Sequence, residues 1–289
     1  MAFDPFLYVA LGVGILAGQL TRVRSPWTGR ATRLTVLALV ALLGTLLDTV
    51  PGGALLLALP IGLGFGFLLL AVTGAFYLAI AQRKPAPSTP STGPPPPERF
   101  PFAIVLILAL IAGFLFGRWV ELPTEAALTG ALYVLLALVG FDLRWEWIRA
   151  RELALPLIAA GTGAAVCAAV LALAAGVAWP VALASTFAFG WYTLAGPLVA
   201  ARAGALLGLF AFLANFFREN LTMVLSPYVG RRLRGPGLAA LGGATSMDTT
   251  LYFVTRYGDE SAGSLALAVG LILTLAAGVL LPLLLAFPA

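Results

Sequence analysis

Long apolar runs set the pattern of this chain, and short polar or proline- and glycine-rich stretches interrupt them. Runs near the roughly 17 to 25 residues that cross a bilayer core lie at about 3–20, 33–50, 54–81, 101–120, 126–142, 153–178, 205–228 and 262–287. Each predicts a helix, because a helix satisfies its own backbone groups in lipid. Between the second and third runs, "DTVPGG" is a natural break. Between the third and fourth, "QRKPAPSTPSTGPPPPERF" reads as a solvated, semi-extended linker. The expected organisation is an N-terminal three-span unit at 1–81, a Pro-rich cytoplasmic linker at 82–100, and a larger C-terminal unit at 101–289.

Two further stretches are apolar but short and interrupted. The segment near 181–200 reads "VALASTFAFGWYTLAGPLVA", and the one near 238–256 contains "LGGATSMDTTLY". If both crossed the membrane, ten spans would result. The loop "VGRRLRGPG", with Arg231, Arg232 and Arg234, would then fall outside. If both enter and return on the same side, the arginine clusters at 22–33, 83–99, 144–151 and 231–234 all fall inside. The positive-inside rule favours the second arrangement. The expected fold is therefore an all-α polytopic membrane protein. It has about eight transmembrane helices plus two broken re-entrant segments entering from opposite faces, with both termini outside; ten spans is the alternative. Irregular backbone at membrane depth is tolerated where it lines a protein-buried or polar cavity, a construction that recurs in secondary transporters.

Composition strengthens the membrane reading. The chain has 289 residues, 61% hydrophobic and 10% charged, against about 25% charged in soluble domains, and its mean hydropathy is +1.02. Lipid must be the solvent for most of this surface. The N-terminal run is not read as a signal peptide, because Asp4 precedes it while Arg22 and Arg24 follow it. There are no histidines, which excludes imidazole catalysis and relays and His-type zinc sites. Cys167 is the single cysteine, so no intrachain disulfide forms; in "GTGAAVCAAV" it reads as small apolar packing. The net charge of +5 is scattered through loops, where it sets topology rather than forming a nucleic-acid patch.

An ionisable group inside a bilayer costs ~2.5–3.5 kcal/mol on insertion scales, so acids within apolar segments are suspected of function. Asp48, Glu219 and Asp248 qualify. Asp248 stands among Thr245, Ser246, Thr249 and Thr250, which reads as a cation or proton site beside unwound backbone; a helix cap is the structural alternative. Asp48 closes "ALLGTLLDTV", either as a polar helix end before Pro51 or as an acid within the span. Arg218 and Glu219 lie in "FLANFFRENLTMVL". Asn215, Glu219 and Thr222 share one helix face, as a cavity lining would; a buried structural ion pair is the alternative. Trp191, Tyr192 and Thr193 lie in "FGWYTLAGP", where an interfacial aromatic belt competes with a binding role. Trp119, Trp145 and Trp147, with arginine neighbours, fit the belt better.

Three of these motifs, "FGWYTLAGP", "NFFREN" and "GGATSMDTTL", occur in order over about 185–255. Together they resemble the lysine exporter family of the LysO type. The resemblance implies export of L-lysine across the cytoplasmic membrane of a prokaryote, driven by cation exchange, with 101–289 as the transport unit. It implies that Asp48 and Asp248 are the essential intramembrane acids. Thr193 stands where the family pattern suggests Ser, and the proline-rich linker is longer than expected. Substrate contacts are then expected from Asp48, Trp191, Tyr192, Thr193, Asn215, Arg218 and Glu219. Coupling-ion contacts are expected from Asp248, Thr245, Ser246 and Thr249.

The energetics agree. Expelling a cation against an inside-negative potential costs ~2.3 kcal/mol per 100 mV, so uniport would accumulate lysine, whereas exchange for H+ or Na+ cancels the charge movement. No enzymatic activity and no cofactor are expected beyond that coupling cation. The expected partners are lysine and membrane lipids, with no nucleic acid and an oligomer left open. A cation channel or a structural membrane protein is the competing class. An intramembrane aspartyl protease fits less well, because "LLDT" and "SMDT" lack its Tyr-Asp and Gly-x-Gly-Asp contexts.

Overall fold

The structure, a computed structural model, describes residues 6–21, 26–46, 52–81, 102–117, 119, 124–142, 150–258 and 262–286. Its ordered elements are all helical. They are α1 (Phe6–Thr21), α2 (Pro26–Leu46), α3 (Gly52–Ile80), α4 (Phe102–Gly117), α5 (Thr124–Asp142), α6 (Ala150–Ala175), α7 (Trp179–Thr186), α8 (Tyr192–Ala203), α9 (Ala205–Gly242), α10 (Leu251–Tyr257) and α11 (Ala262–Ala286). The eight apolar runs fall on α1 to α6, α9 and α11. The short helices α7, α8 and α10 belong to the two interrupted stretches. Among the described residues, Ala58–Ile80, Glu152–Ala175 and Ala262–Ala286 are long and apolar enough to cross a membrane.

The chain forms two compact units, Met1–Gly53 with Thr92–Trp145, and Ala54–Ser91 with Glu146–Ala289. Contact thus groups the helices otherwise than the chain-order division at 1–81, 82–100 and 101–289. The Pro-rich stretch 82–100 lies outside the described residues, as does Asp48.

In the first unit α1 packs on α5, and α2 packs on α4 and α5. Glycine makes these approaches possible. A Cβ at Gly14 or Gly18 would overlap the carbonyls of Ala137 and Phe141 on α5, and one at Gly113 on α4 would overlap the carbonyl of Ala41 on α2. Lipid supplies no hydrophobic drive between helices, so close backbone approach through small residues is what holds such a bundle.

In the second unit α9 packs against α6, α7, α8, α10 and α11. A Cβ at Gly66 of α3 would stand 2.9 Å from the Ala214 carbonyl oxygen and 3.0 Å from the Arg218 nitrogen of α9. Cys167 of α6 is fully buried. The arginine-rich stretch that the sequence suggests as a loop is instead helical up to one residue. Arg234 has φ 56° and ψ −171°, which divides α9 into α9a (205–233) and α9b (235–242). Arginine is a good helix former, so Arg231 and Arg232 continue the helix. Pro236 suits the first turn of α9b, where a missing N–H leaves no helical bond unmade.

Candidate functional site

Two helix interruptions define the site. In the first, α7 ends at Thr186, and the chain passes through Phe189 (φ 52°) and Gly190 (φ 100°) before α8 begins at Tyr192. In the second, α9b ends at Gly242 and Gly243 (φ 66°) opens a 3-10 turn through Met247. Asp248 to Thr250 then lead into α10. The two breaks touch backbone to backbone, where the Ala244 N–H donates to the Phe189 carbonyl at 2.9 Å. Gly243 is required at this contact. Besides its positive φ, a Cβ there would lie 2.5 Å from the Phe189 oxygen and 2.9 Å from Arg218 Nη2.

Both breaks hang on polar side chains of α9a. Asn215, 0% exposed, donates through Nδ2 to the carbonyls of Ser185 at 2.7 Å and Ala211 at 2.9 Å. Its Oδ1 accepts the Gly190 N–H at 2.9 Å. Arg218, 1% exposed, donates through Nε to the Leu241 carbonyl and through Nη2 to the Ala240 carbonyl, each at 3.1 Å. Ser185 lies in the last turn of α7, and Ala240 and Leu241 lie in the last turn of α9b. The last carbonyls of a helix lack intrahelical partners, and α9a supplies donors to both ends. Thr222 turns its hydroxyl back to the Arg218 carbonyl at 2.8 Å, so of the predicted polar stripe it is Asn215 and Glu219 that face the breaks.

Glu219, 1% exposed, has a buried Oε1 with no hydrogen-bond partner. It lies within side-chain hydrogen-bonding range of Thr249 and electrostatic range of Asp248. The Asp248 carboxylate accepts the Thr249 N–H and, at 3.1 Å, the Thr249 hydroxyl. Tyr192 is an electrostatic neighbour of both acids, and its ring packs edge-on against Phe212 at 5.1 Å and Phe216 at 5.5 Å. Tyr192, Glu219, Asp248 and Thr249 thus form one cluster backed by aromatic rings. Two carboxylates close together repel when both are charged, and a cation between them would remove that repulsion.

The other predicted residues are placed differently. The Thr245 hydroxyl donates to the Gly242 carbonyl at 3.0 Å and stands 3.4 Å from that of Thr250. The Ser246 hydroxyl is 2.8 Å from each of the Gly243 and Ala266 carbonyls. Both hydroxyls therefore brace the broken backbone, Ser246 against α11. Trp191 closes the first break beside α11, its ring 3.9 Å from where a Cβ on Gly278 would stand. Thr193 is half-buried in the first turn of α8. Phe189, Gly190 and Gly243 complete the junction; the sequence motifs "FGWYTLAGP" and "GGATSMDTTL" include them, but no individual role was read for them. Among the described residues, no group of three or more acidic, cysteine or histidine residues could hold a metal.

Interrupted helices meeting at two acids, Glu219 buried and Asp248 half-buried, within an all-α fold bearing several long apolar helices, mark a membrane transport protein. The family model "Lysine exporter LysO" matches residues 107–285, and the chain belongs to that family. It is 33% identical over 209 residues to the protein named "Lysine exporter LysO" of Escherichia coli (strain K12), covering 66% of this chain and 67% of that one. It is 28% identical over 194 residues to a Haemophilus influenzae protein named "Putative lysine exporter", covering 63% of this chain and 96% of the relative. No solved structure matches it. The protein is thus a transmembrane amino-acid transport protein of the cell membrane, and not an enzyme.

Proposed function

We propose that this protein exports L-lysine, together with other amino acids bearing a cationic side chain, across the cytoplasmic membrane of a prokaryote in exchange for H+ or Na+. The observation that carries the reading is the pairing of Glu219, with its unpartnered buried oxygen, and Asp248 at the junction of two broken helices. A substrate ammonium and a coupling cation are alternative occupants of such a pair. When one displaces the other, the charge crossing the membrane cancels. The names of the two relatives support lysine as the substrate.

In the same reading the α7–α8 and α9b–α10 segments are re-entrant and enter from opposite faces. Eight helices span, both termini lie outside, and Arg231, Arg232 and Arg234 face the cytoplasm. Tyr192 and Thr249 line the cation site, and Asp48 is a further acid that meets the substrate. The test is lysine counterflow in proteoliposomes with and without imposed pH and Na+ gradients. Saturable exchange of labelled lysine, driven by one of the two gradients, is expected. Lysine flux equal to that of protein-free vesicles, or a conductance without exchange, would sink the reading.

A further inference from the structure

Arg218 and Glu219 are adjacent in sequence, yet they serve different neighbours. Glu219 lies within side-chain hydrogen-bonding range of Thr249 and electrostatic range of Asp248. Arg218 is turned to the end of α9b, where it donates to the Leu241 and Ala240 carbonyls at 3.1 Å each. Its guanidinium carbon lies 5.9 Å from the centroid of the Phe189 ring in the first break. The carbonyls it meets are those a helix end leaves unbonded, and the helix dipole makes that end negative. A buried guanidinium is costly unless such partners satisfy it, and here backbone carbonyls satisfy Nε and Nη2.

We propose that Arg218 is a positioning residue for export: it contacts no part of the substrate, and it clamps the carbonyl end of α9b to α9a so that the second break holds Asp248 beside Glu219. Gly243 belongs to the same clamp, because a Cβ there would press on Arg218 Nη2 and the Phe189 carbonyl together. The functional half of this proposal rests on the lysine-export reading; the clamp itself does not. Nη1 of Arg218 is buried without a hydrogen-bond partner. It is the group a substrate α-carboxylate would seek, which makes lysine without its carboxylate, 1,5-diaminopentane, the discriminating probe.

The experiment compares full-length wild type, Arg218→Lys, Arg218→Gln and Gly243→Ala in proteoliposomes. Labelled-lysine counterflow is competed by unlabelled lysine and by 1,5-diaminopentane. Losing hydrogen bonds from a charged donor should slow maximal exchange roughly tenfold or more in Arg218→Gln. Arg218→Lys should keep an intermediate rate, because an ammonium still reaches a carbonyl, and Gly243→Ala should be slowed like Arg218→Gln. In all three, half-saturation by lysine and by 1,5-diaminopentane should move together, so that the ratio of the two competitors stays at its wild-type value. If Arg218→Gln loses that ratio while Gly243→Ala keeps it, Arg218 binds the substrate carboxylate and the proposal is wrong.

Amide hydrogen exchange gives a readout independent of transport. Protection across 240–250 should fall in Arg218→Gln and in Gly243→Ala, and unchanged protection in Arg218→Gln overturns the clamp. Should wild type show no lysine counterflow, it is the export reading that fails, and the exchange measurement decides the clamp alone.

Discussion

The Ala244 amide donates to the Phe189 carbonyl across 2.9 Å, so two segments that each interrupt a helix are joined to each other at their interruptions. Around that bond, α9a supplies Asn215 to the first break, Arg218 to the second, and Glu219 to the space beside Asp248. One helix therefore sets the positions of both breaks and of the acid pair, and the predictions below follow from that dependence.

Glu219→Gln and Asp248→Asn should each lower lysine exchange roughly thirtyfold or more, since removing one charged partner of a buried pair costs about 2–5 kcal/mol of binding. Neither should unfold the protein, because neutralising a buried carboxylate removes a desolvation penalty. Counterflow together with the thermal unfolding midpoint in detergent checks both halves. A folded variant exporting at the wild-type rate would remove that acid from the site.

Asn215→Leu should destabilise the second unit. It leaves the Gly190 N–H and the Ser185 carbonyl buried and unpaired, at about 1–3 kcal/mol each. Asn215→Asp should be no better, because it discards the donors that meet Ser185 and Ala211. A lowered unfolding midpoint and raised amide exchange across 185–192 are expected in both. An unshifted midpoint would mean that Asn215 does not hold the first break.

Neighbouring glycines of α6 should behave oppositely. Gly161→Ala meets nothing within 4 Å and should be neutral or gain up to about 1 kcal/mol from helix propensity. Gly163→Ala would overlap the Thr73 side chain and should destabilise by forcing α3 and α6 apart. Comparing unfolding midpoints of the two variants tests this. Equal shifts would contradict the α3–α6 approach.

The orientation of the arginine cluster is open to direct labelling. In a Cys167→Ser background, Arg232→Cys should react with a membrane-impermeant thiol reagent from the cytoplasmic side only. Labelling only from outside would exclude the eight-span arrangement and restore the ten-span one.

The helices themselves were legible because length and apolarity are local properties; each of the eight runs lies on one. The breaks were legible for the same reason, since Gly, Pro, Ser and Thr weaken a helix wherever they cluster. Arg231 and Arg232 were misread because a charge cluster beside Gly and Pro resembles a loop. In the structure helix propensity prevails through Leu233, and the turn is confined to one residue. The partners of Asn215 and Arg218 were illegible. A stripe at 215, 219 and 222 shows a polar face, but whether its members receive a ligand or brace backbone carbonyls is decided by residues on other helices. The same holds for Thr245 and Ser246, whose hydroxyls meet carbonyls that the sequence does not reveal to be free. Acids left without such partners stand out against this background, and Glu219 is one.

The side-chain ties that fix the two breaks are short along the chain. Asn215 reaches back 25 residues to Gly190 and 30 to Ser185, Arg218 reaches forward 23 to Leu241 and 22 to Ala240, and Ser246 reaches forward 20 to Ala266. Closing loops of that length adds little entropic cost over closing shorter ones, which favours assembly while the chain is still being made. It also imposes an order. Until α9a emerges from the ribosome, the Ser185 carbonyl and the Gly190 amide lack the side chain that satisfies them, and hydrocarbon tolerates neither unpaired. On the re-entrant reading proposed above, the α7–α8 segment has to wait at the membrane surface for Asn215. A nascent chain arrested before residue 215 should expose that segment to quality-control proteases, and one released just after it should not.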